Sequence, residues 1–191
     1  LVVAIPRLSS LYGDNKLDEF QKTGQEIYKT LLTLIIPAMV GVMILRESIV
    51  RLIAGEQYLD ACSSLLVLSV ALMFCMAAWF WGQCILVPIK QEKEVFKITM
   101  ISAILNILLN FILIPFWGEM AAAITTVIAE LCSYLWCMYK GRKWTGISGF
   151  SNILFKIICG TVGMVAVSML VRLFIGNYLM CFIVTILCAI V

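Results

Sequence analysis

Histidine is absent from this 191-residue chain, and charged residues make up only 13% of it. The first absence removes histidine-dependent acid–base catalysis and the usual zinc ligand sets. The second is far below the usual quarter of charged residues in globular domains, and it leaves too little polar surface to cover a water-soluble fold. CxxC spacing is missing as well: Cys62, Cys75, Cys84, Cys132, Cys137, Cys159, Cys181 and Cys188 fall almost entirely in apolar blocks and read as small buried hydrophobes. A net charge of +3 is too small to point to a nucleic-acid partner. The opening run Leu1-Val2-Val3-Ala4-Ile5 has no initiator Met and no basic region ahead of it, so it reads as the tail of an earlier span and not as a signal peptide. The closing run, Cys181 to Val191, is also apolar, and the expectation is a fragment cut at both ends.

What the chain has in quantity is apolar sequence, 63% of it, gathered in blocks of about 20 residues, the length a helix needs to cross about 30 Å of hydrocarbon. This predicts an all-α, polytopic membrane bundle of about six spans, near residues 27–45, 61–87, 96–116, 119–139, 152–175 and 178–191. The division that follows gives 1–5 as the end of a preceding transmembrane helix and 6–26 as a cytoplasmic amphipathic loop. Residues 27–139 form a four-helix unit, 140–151 a basic cytoplasmic loop, and 152–191 two further spans, the last truncated.

Lys and Arg test that division, because cytoplasmic loops carry them in excess. Arg7, Lys16, Lys22, Lys29, Lys90, Lys93, Lys97, Lys140, Arg142, Lys143 and Lys156 make eleven on one side. Arg46, Arg51 and Arg172 make three on the other. One missed or invented span would scramble these sides, so the bias predicts that the first, third and fifth connections face the cytoplasm. The first connection has Leu11, Leu17, Phe20 and Ile27 at helical spacing, as in a helix lying along the inner surface, although an ordinary solvated linker would also fit. Arg46 to Gly55 reads as a short amphipathic turn ending at a glycine suited to a helix C-terminus. Trp117, Trp136, Tyr139 and Trp144 fall near the predicted interfaces, where amphipathic rings anchor helices. Pro37 lies inside a span and kinks it or frees a backbone carbonyl, whereas Pro88 and Pro115 lie near span ends.

Polar residues within the spans are the candidate functional groups. Glu130 is the one acidic residue deep inside an apolar block, and an ionisable group there costs roughly 2.5–3.5 kcal/mol on insertion scales, so it should face the bundle interior and have a partner. It would line a polar cavity or take a proton; a packing glutamate held by a hydrogen bond is the competing explanation. Asn106 and Asn110 stand four residues apart, on one helix face. At 1.5 Å per residue, Asn106 lies ~15 Å from one interface and Glu130 ~16 Å from the other, so all three could meet near the midplane. The short Trp117-Gly118 connection makes the two helices side-by-side neighbours, which makes a direct amide–carboxyl bond geometrically plausible; interhelical adhesion at about 0.6 kcal/mol per bond explains the same residues. Gln83, with Trp79 and Trp81 nearby, is a further cavity candidate.

Several runs occur together in an order that resembles a known family: Ile5-Pro6-Arg7-Leu8-Ser9, Ile36-Pro37-Ala38-Met39-Val40-Gly41, Gly55-Glu56-Gln57-Tyr58, Leu105-Asn106 through Asn110 to Pro115, and Gly118 to Glu130. Over most of Ile5 to Lys140 the sequence is similar to the C-terminal half of the polysaccharide-biosynthesis exporters. These are the Wzx-type lipid-linked oligosaccharide flippases of the MOP superfamily, which also holds MurJ and the MATE transporters. The resemblance implies a MOP/MATE-like C-terminal bundle that carries an undecaprenyl-pyrophosphate-linked sugar unit across the bacterial cytoplasmic membrane by alternating access. It implies no cofactor and no catalytic residues, and is compatible with coupling to a proton or sodium gradient or to membrane potential. The partners implied are membrane lipids, the lipid-linked glycan and other polysaccharide-assembly membrane proteins. The family's cytoplasmic Pro-Arg loop maps to Pro6 and Arg7, and its paired Asn and its Glu to Asn106, Asn110 and Glu130. A phosphate headgroup calls for cations in a hydrated cleft, and Arg7, Arg46 or Arg51 would serve if turned toward the central cavity.

A MATE-type drug or cation exporter shares the fold and the rocking motion but needs a small amphipathic cavity, and the Pro-Arg-Leu-Ser run with its Asn pair looks more like the polysaccharide branch. A membrane-embedded polysaccharide polymerase or acyltransferase would want clustered His, Arg or carboxylates in a long outer loop. The predicted outer connections are short and His is absent.

Overall fold

A computed structural model describes residues 3–146, together with 157, 160–163, 165 and 166. The spans expected at 152–175 and 178–191 lie, but for a few of these residues, outside the described residues. The chain is helical in sequence order: α1 (Ala4–Gly13), α2 (Leu17–Ile53), a 3-10 turn (Glu56–Tyr58), α3 (Ala61–Trp79) running on into a π-helical segment (Phe80–Leu86), and a helical stretch Glu92–Thr145 broken at Gly118. We call its arms, 92–117 and 119–145, α4 and α5. Among the described residues there is no strand.

Charge placement accounts for the helix ends. Asp18 and Glu19 occupy the first turn of α2, Glu92 and Glu94 that of α4, while Arg51 closes α2 and Arg142 and Lys143 close α5. Each sign complements the helix dipole at its end. The αL residue Gly146 then terminates α5. Gly118 adopts φ 55° and ψ −132°, a conformation that side chains rarely tolerate, and the chain folds back there.

Side-chain bonds prove the fold-back. Asn110 meets Thr125, Ser102 meets Ser133, and Glu94 meets Lys140, each partner standing about as far beyond Trp117-Gly118 as the other stands before it. Such pairing belongs to an antiparallel hairpin. Leu17–Ile53, Ala61–Leu86 and Glu92–Thr145 are long and apolar enough to cross a bilayer, and the hairpin makes the last of them two arms of about 26 residues, roughly 39 Å each. The architecture is the all-α membrane bundle that the apolar blocks predict.

The helices alternate in direction, so that one end of the bundle gathers Lys16, Lys22, Lys29, Lys90, Lys93, Lys97, Lys140, Arg142 and Lys143, with Arg46, Arg51 and the Trp117-Gly118 bend toward the other. Tight packing is also at the basic end. Leu8, Phe20, Tyr28, Phe80, Trp81 and Ile85 form one buried cluster. Within it Tyr28 stacks at 4.8 Å on Phe80 and edge-on at 5.6 Å on Trp81, and Tyr12 of α1 bridges Phe20 and Trp144. Gly141 admits Trp81 so closely that a Cβ there would stand 2.7 Å from the ring. The widened π-helical turn presents the consecutive buried residues Phe80, Trp81 and Gly82 to this cluster.

Three expectations about the connections are corrected. The first connection is helical, as the spacing of its apolar residues suggests, but the boundary placed between Ile5 and Pro6 is not kept: Ala4 and Ile5 belong to the same helix as Leu8, because proline in a first turn gives up an N–H that has no partner there anyway. Residues 17–26 are also not a separate loop segment, being continuous with the span in α2. Arg46 to Arg51 form no separate turn either, since α2 stays helical to Ile53 and only then meets Gly55, at φ 94°. The cysteines divide: Cys62, Cys84 and Cys137 are buried, but Cys75 and Cys132 lie on helix faces left open among the described residues.

Candidate functional site: a polar row along the hairpin

Four polar groupings lie along α4 and α5. Starting at the bend, Asn110 Nδ2 donates to Asn106 Oδ1 at 2.5 Å, and the Thr125 hydroxyl donates to Asn110 Oδ1, also at 2.5 Å. Thr125 is fully buried and shares its one hydroxyl proton with the Ala122 carbonyl at 3.0 Å. Farther along, Glu130 lies beside the Cys75 thiol of α3. Ser133 donates to Ser102 at 2.7 Å. At the basic end Glu94 holds Lys140 at 3.1 Å and Lys97 at 3.2 Å, and these ammonium groups, Lys140 foremost, keep its carboxyl below the usual carboxylate range.

The expected meeting of Asn106, Asn110 and Glu130 does not occur. The hairpin register puts Ala129, not Glu130, opposite Asn106, and one residue of helix rotates a side chain by about 100°. Glu130 is thereby turned toward α3 and finds Cys75, while the amide pair is completed by Thr125. Sequence reading missed Thr125, Cys75, Ser102 and Ser133. Once Trp117-Gly118 is taken as the bend, counting equal distances from it would have found Thr125 and the serine pair; nothing local marks Cys75.

The remaining candidates are dispersed. Gln83 sits half-buried in the π-helical segment between the buried Gly82 and Cys84. Arg7 is exposed on α1. Arg46 donates to the Met43 carbonyl at 2.9 Å and Arg51 pairs with Glu56 at 3.2 Å, so both are engaged within their own end of the bundle. No contact among the described residues brings these three arginines to Asn106, Asn110 or Glu130. Beside Asn110 a groove of about 580 Å³ opens between Ile107, Phe111, Ile114 and Pro115, apolar except for the amide. Among the described residues no cluster of His, Cys, Asp or Glu could hold a metal ion.

Two further glutamines tie the bundle together. Gln25 of α2 donates to the Thr145 carbonyl at 3.1 Å and to that of Gly146 at 3.3 Å, capping α5, and Gln21 packs against Gly146. Tyr28 and Tyr134 bring their hydroxyls to 3.5 Å one turn above.

Comparison with known proteins places these groups in a context. A family model described as the lipid II flippase MurJ matches residues 1–191. The chain is 26% identical over 141 residues to a capsular polysaccharide biosynthesis protein, CapF, of Staphylococcus aureus, covering 74% of this chain and 35% of that protein. It is 24% identical over 185 residues to a probable low-salt glycan biosynthesis flippase of Haloferax volcanii, covering 91% of this chain and 39% of the relative. The chain thus spans well under half the length of these relatives.

Proposed function

The chain belongs to the lipid II flippase MurJ family, which makes it part of a multi-pass membrane transporter and not of an enzyme, and from that premise we propose that the whole protein moves a lipid-linked oligosaccharide across the bacterial cytoplasmic membrane for surface polysaccharide synthesis. In this reading the basic end of the bundle faces the cytoplasm, the described helices are part of one of two rocking bundles, and the substrate's lipid diphosphate enters from the inner leaflet. The names of the two relatives, one concerned with capsular polysaccharide and one with glycan biosynthesis, agree with a glycan cargo.

The observation that carries the proposal is Glu130. A carboxyl within a membrane-spanning arm of the hairpin is costly at bilayer depth, and such groups mark transport paths or proton relays. Among the described residues its polar neighbour is the Cys75 thiol, a weak hydrogen-bonding group, whereas the neighbouring amides and hydroxyls have strong partners of their own. Glu130 is therefore the group most easily recruited by a passing polar headgroup or a coupling proton.

The test uses the full-length protein in liposomes containing a fluorescent lipid-linked oligosaccharide, with flipping read by a membrane-impermeant quencher. Glu130→Ala should impair transport more than Glu130→Gln if the group acts by hydrogen bonding, and both should fail alike if it must titrate. Unchanged flipping in both variants would remove Glu130 from the mechanism and with it the main support for this reading.

A further inference from the structure

The basic end of the hairpin holds a cleft of about 820 Å³, walled by Lys90, Lys93, Lys140 and Lys143 with the rings of Tyr139 and Trp144. Two carboxylates, Glu92 and Glu94, also line it, but Glu94 is already occupied by Lys140 and Lys97. Lys90, Lys93 and Lys143 make no ion pair with any described residue, so the cleft keeps a surplus of positive charge. Lys90 moreover adopts a left-handed backbone at φ 62°, its N–H bonded to Val87 at 2.9 Å. A lysine is an uncommon choice where glycine or asparagine costs less, and such outliers cluster at ligand clamps.

Depth and surroundings narrow the ligand. Tyr139 and Trp144 are interface residues by chemistry, with apolar faces and polar edges. From Lys93 the exposed side chains Met100, Ile104, Ile107 and Phe111 continue at helical spacing along α4, an apolar stripe suited to lie against lipid chains. A cationic cleft at headgroup level that leads into an apolar stripe matches one molecule: a lipid with an anionic head. Basic pockets between transmembrane helices on the cytoplasmic side recognise lipid headgroups in this way.

We propose that this cleft is a lipid-phosphate site, in which the ammonium groups of Lys90, Lys93 and Lys143 hold the phosphate and the stripe from Met100 to Phe111 lies along the lipid's chains. The chemistry is shared by an anionic glycerophospholipid and an isoprenyl phosphate. The site does not depend on the transport reading: it would exist in any membrane protein with this hairpin.

The experiment is native mass spectrometry of the full-length protein, titrated in detergent with phosphatidylglycerol, undecaprenyl phosphate or phosphatidylcholine. Both anionic lipids should bind more tightly than phosphatidylcholine. In the triple variant Lys90→Gln, Lys93→Gln, Lys143→Gln, affinity should fall by about fivefold for each lysine removed. The triple variant Lys16→Gln, Lys22→Gln, Lys29→Gln, which changes net charge equally at the same end of the bundle but removes no residue lining the cleft, should lose clearly less. The anionic lipid that loses more in the first variant is the physiological source. Glu94→Gln frees Lys140 and Lys97 and should tighten binding, a gain that misfolding could not produce. Equal losses in the two triple variants, no preference over phosphatidylcholine, or weaker binding in Glu94→Gln would each overturn the site.

Discussion

Adding one methyl group at Gly141 tests the packing that holds the hairpin to the rest of the bundle. A Cβ built there stands 2.7 Å from Trp81 Cε3, 3.2 Å from Cζ3 and 3.3 Å from Ile85 Cγ2. None of these atoms is free to retreat, since Trp81 and Ile85 are both fully buried and Trp81 is wedged between Tyr28 and Phe80. Overpacking of this kind costs about 1–3 kcal/mol. Alanine regains about 1 kcal/mol over glycine in a helix interior, so Gly141→Ala should destabilise by a net ~0–2 kcal/mol. Gly41, inside α2 with nothing within 4 Å of a built Cβ, is the control, and Gly41→Ala should be neutral or stabilising by up to about 1 kcal/mol. The readout is thermal unfolding of the detergent-solubilised full-length protein, followed with a dye that reacts as the buried Cys62, Cys84 and Cys137 become accessible. Trp81→Phe in the Gly141→Ala background removes the clashing part of the indole and should recover part of the loss, a coupling that a double-mutant cycle isolates. If Gly141→Ala melts as high as Gly41→Ala, the close approach of α5 to the π-helical segment is wrong.

Three other outcomes follow from named contacts. Thr125→Val keeps the shape but strands the Asn110 carbonyl and should cost about 0.6 kcal/mol, with ~1.7 as an upper bound, in the same melting assay; no change would mean that the amide has another partner. Glu94 has a lowered pKa in the folded protein, so its stabilising ion pairs are complete above the ordinary carboxylate value of 4.5 and are lost as pH falls through the lower folded value. The stability gap between wild type and Glu94→Gln should therefore be open at neutral pH and closed in strong acid, and a gap independent of pH would contradict the pairing with Lys140 and Lys97. Cysteines introduced at Lys93 and Trp117 in a background cleared of other reactive thiols should label from opposite sides of the membrane, and labelling from one side would refute the hairpin as a membrane-crossing pair.

Much of the fold was legible because hydrophobicity at bilayer length leaves the backbone few options. Blocks of about 20 apolar residues predict helices, and Trp117-Gly118 between two such blocks predicts the hairpin. The connections were read less well. The boundary placed between Ile5 and Pro6 dissolves because proline in a first turn interrupts nothing. The Arg46 to Gly55 segment looked like a turn because charge appeared, but charge at the end of a membrane helix only marks where it leaves the lipid. In the candidate site the failure was one of rotation. Depth along the axis was enough to nominate Asn106, Asn110 and Glu130 together, but contact also requires a shared face, and a single residue's difference in register directs Glu130 to α3. The basic cleft was visible only as topology signal, since two separate runs of lysine converge there through folding.

The distribution of these contacts constrains how the bundle can move. The Asn110–Thr125 and Ser102–Ser133 bonds lie within the hairpin and lock α4 to α5 along their length. The contacts between the hairpin and α2 or the π-helical segment concentrate at the basic end, where Gln25 caps α5 and Gly141 seats Trp81. Beyond that end the hairpin packs along α3, burying Ala121, Ala123 and Ala129, with Glu130 beside Cys75. A hairpin locked within itself and packed along α3 moves together with α3 more easily than it bends. Under the transport reading, such a motion would carry α3 and the hairpin as one unit against α2, hinged at the aromatic cluster of the basic end.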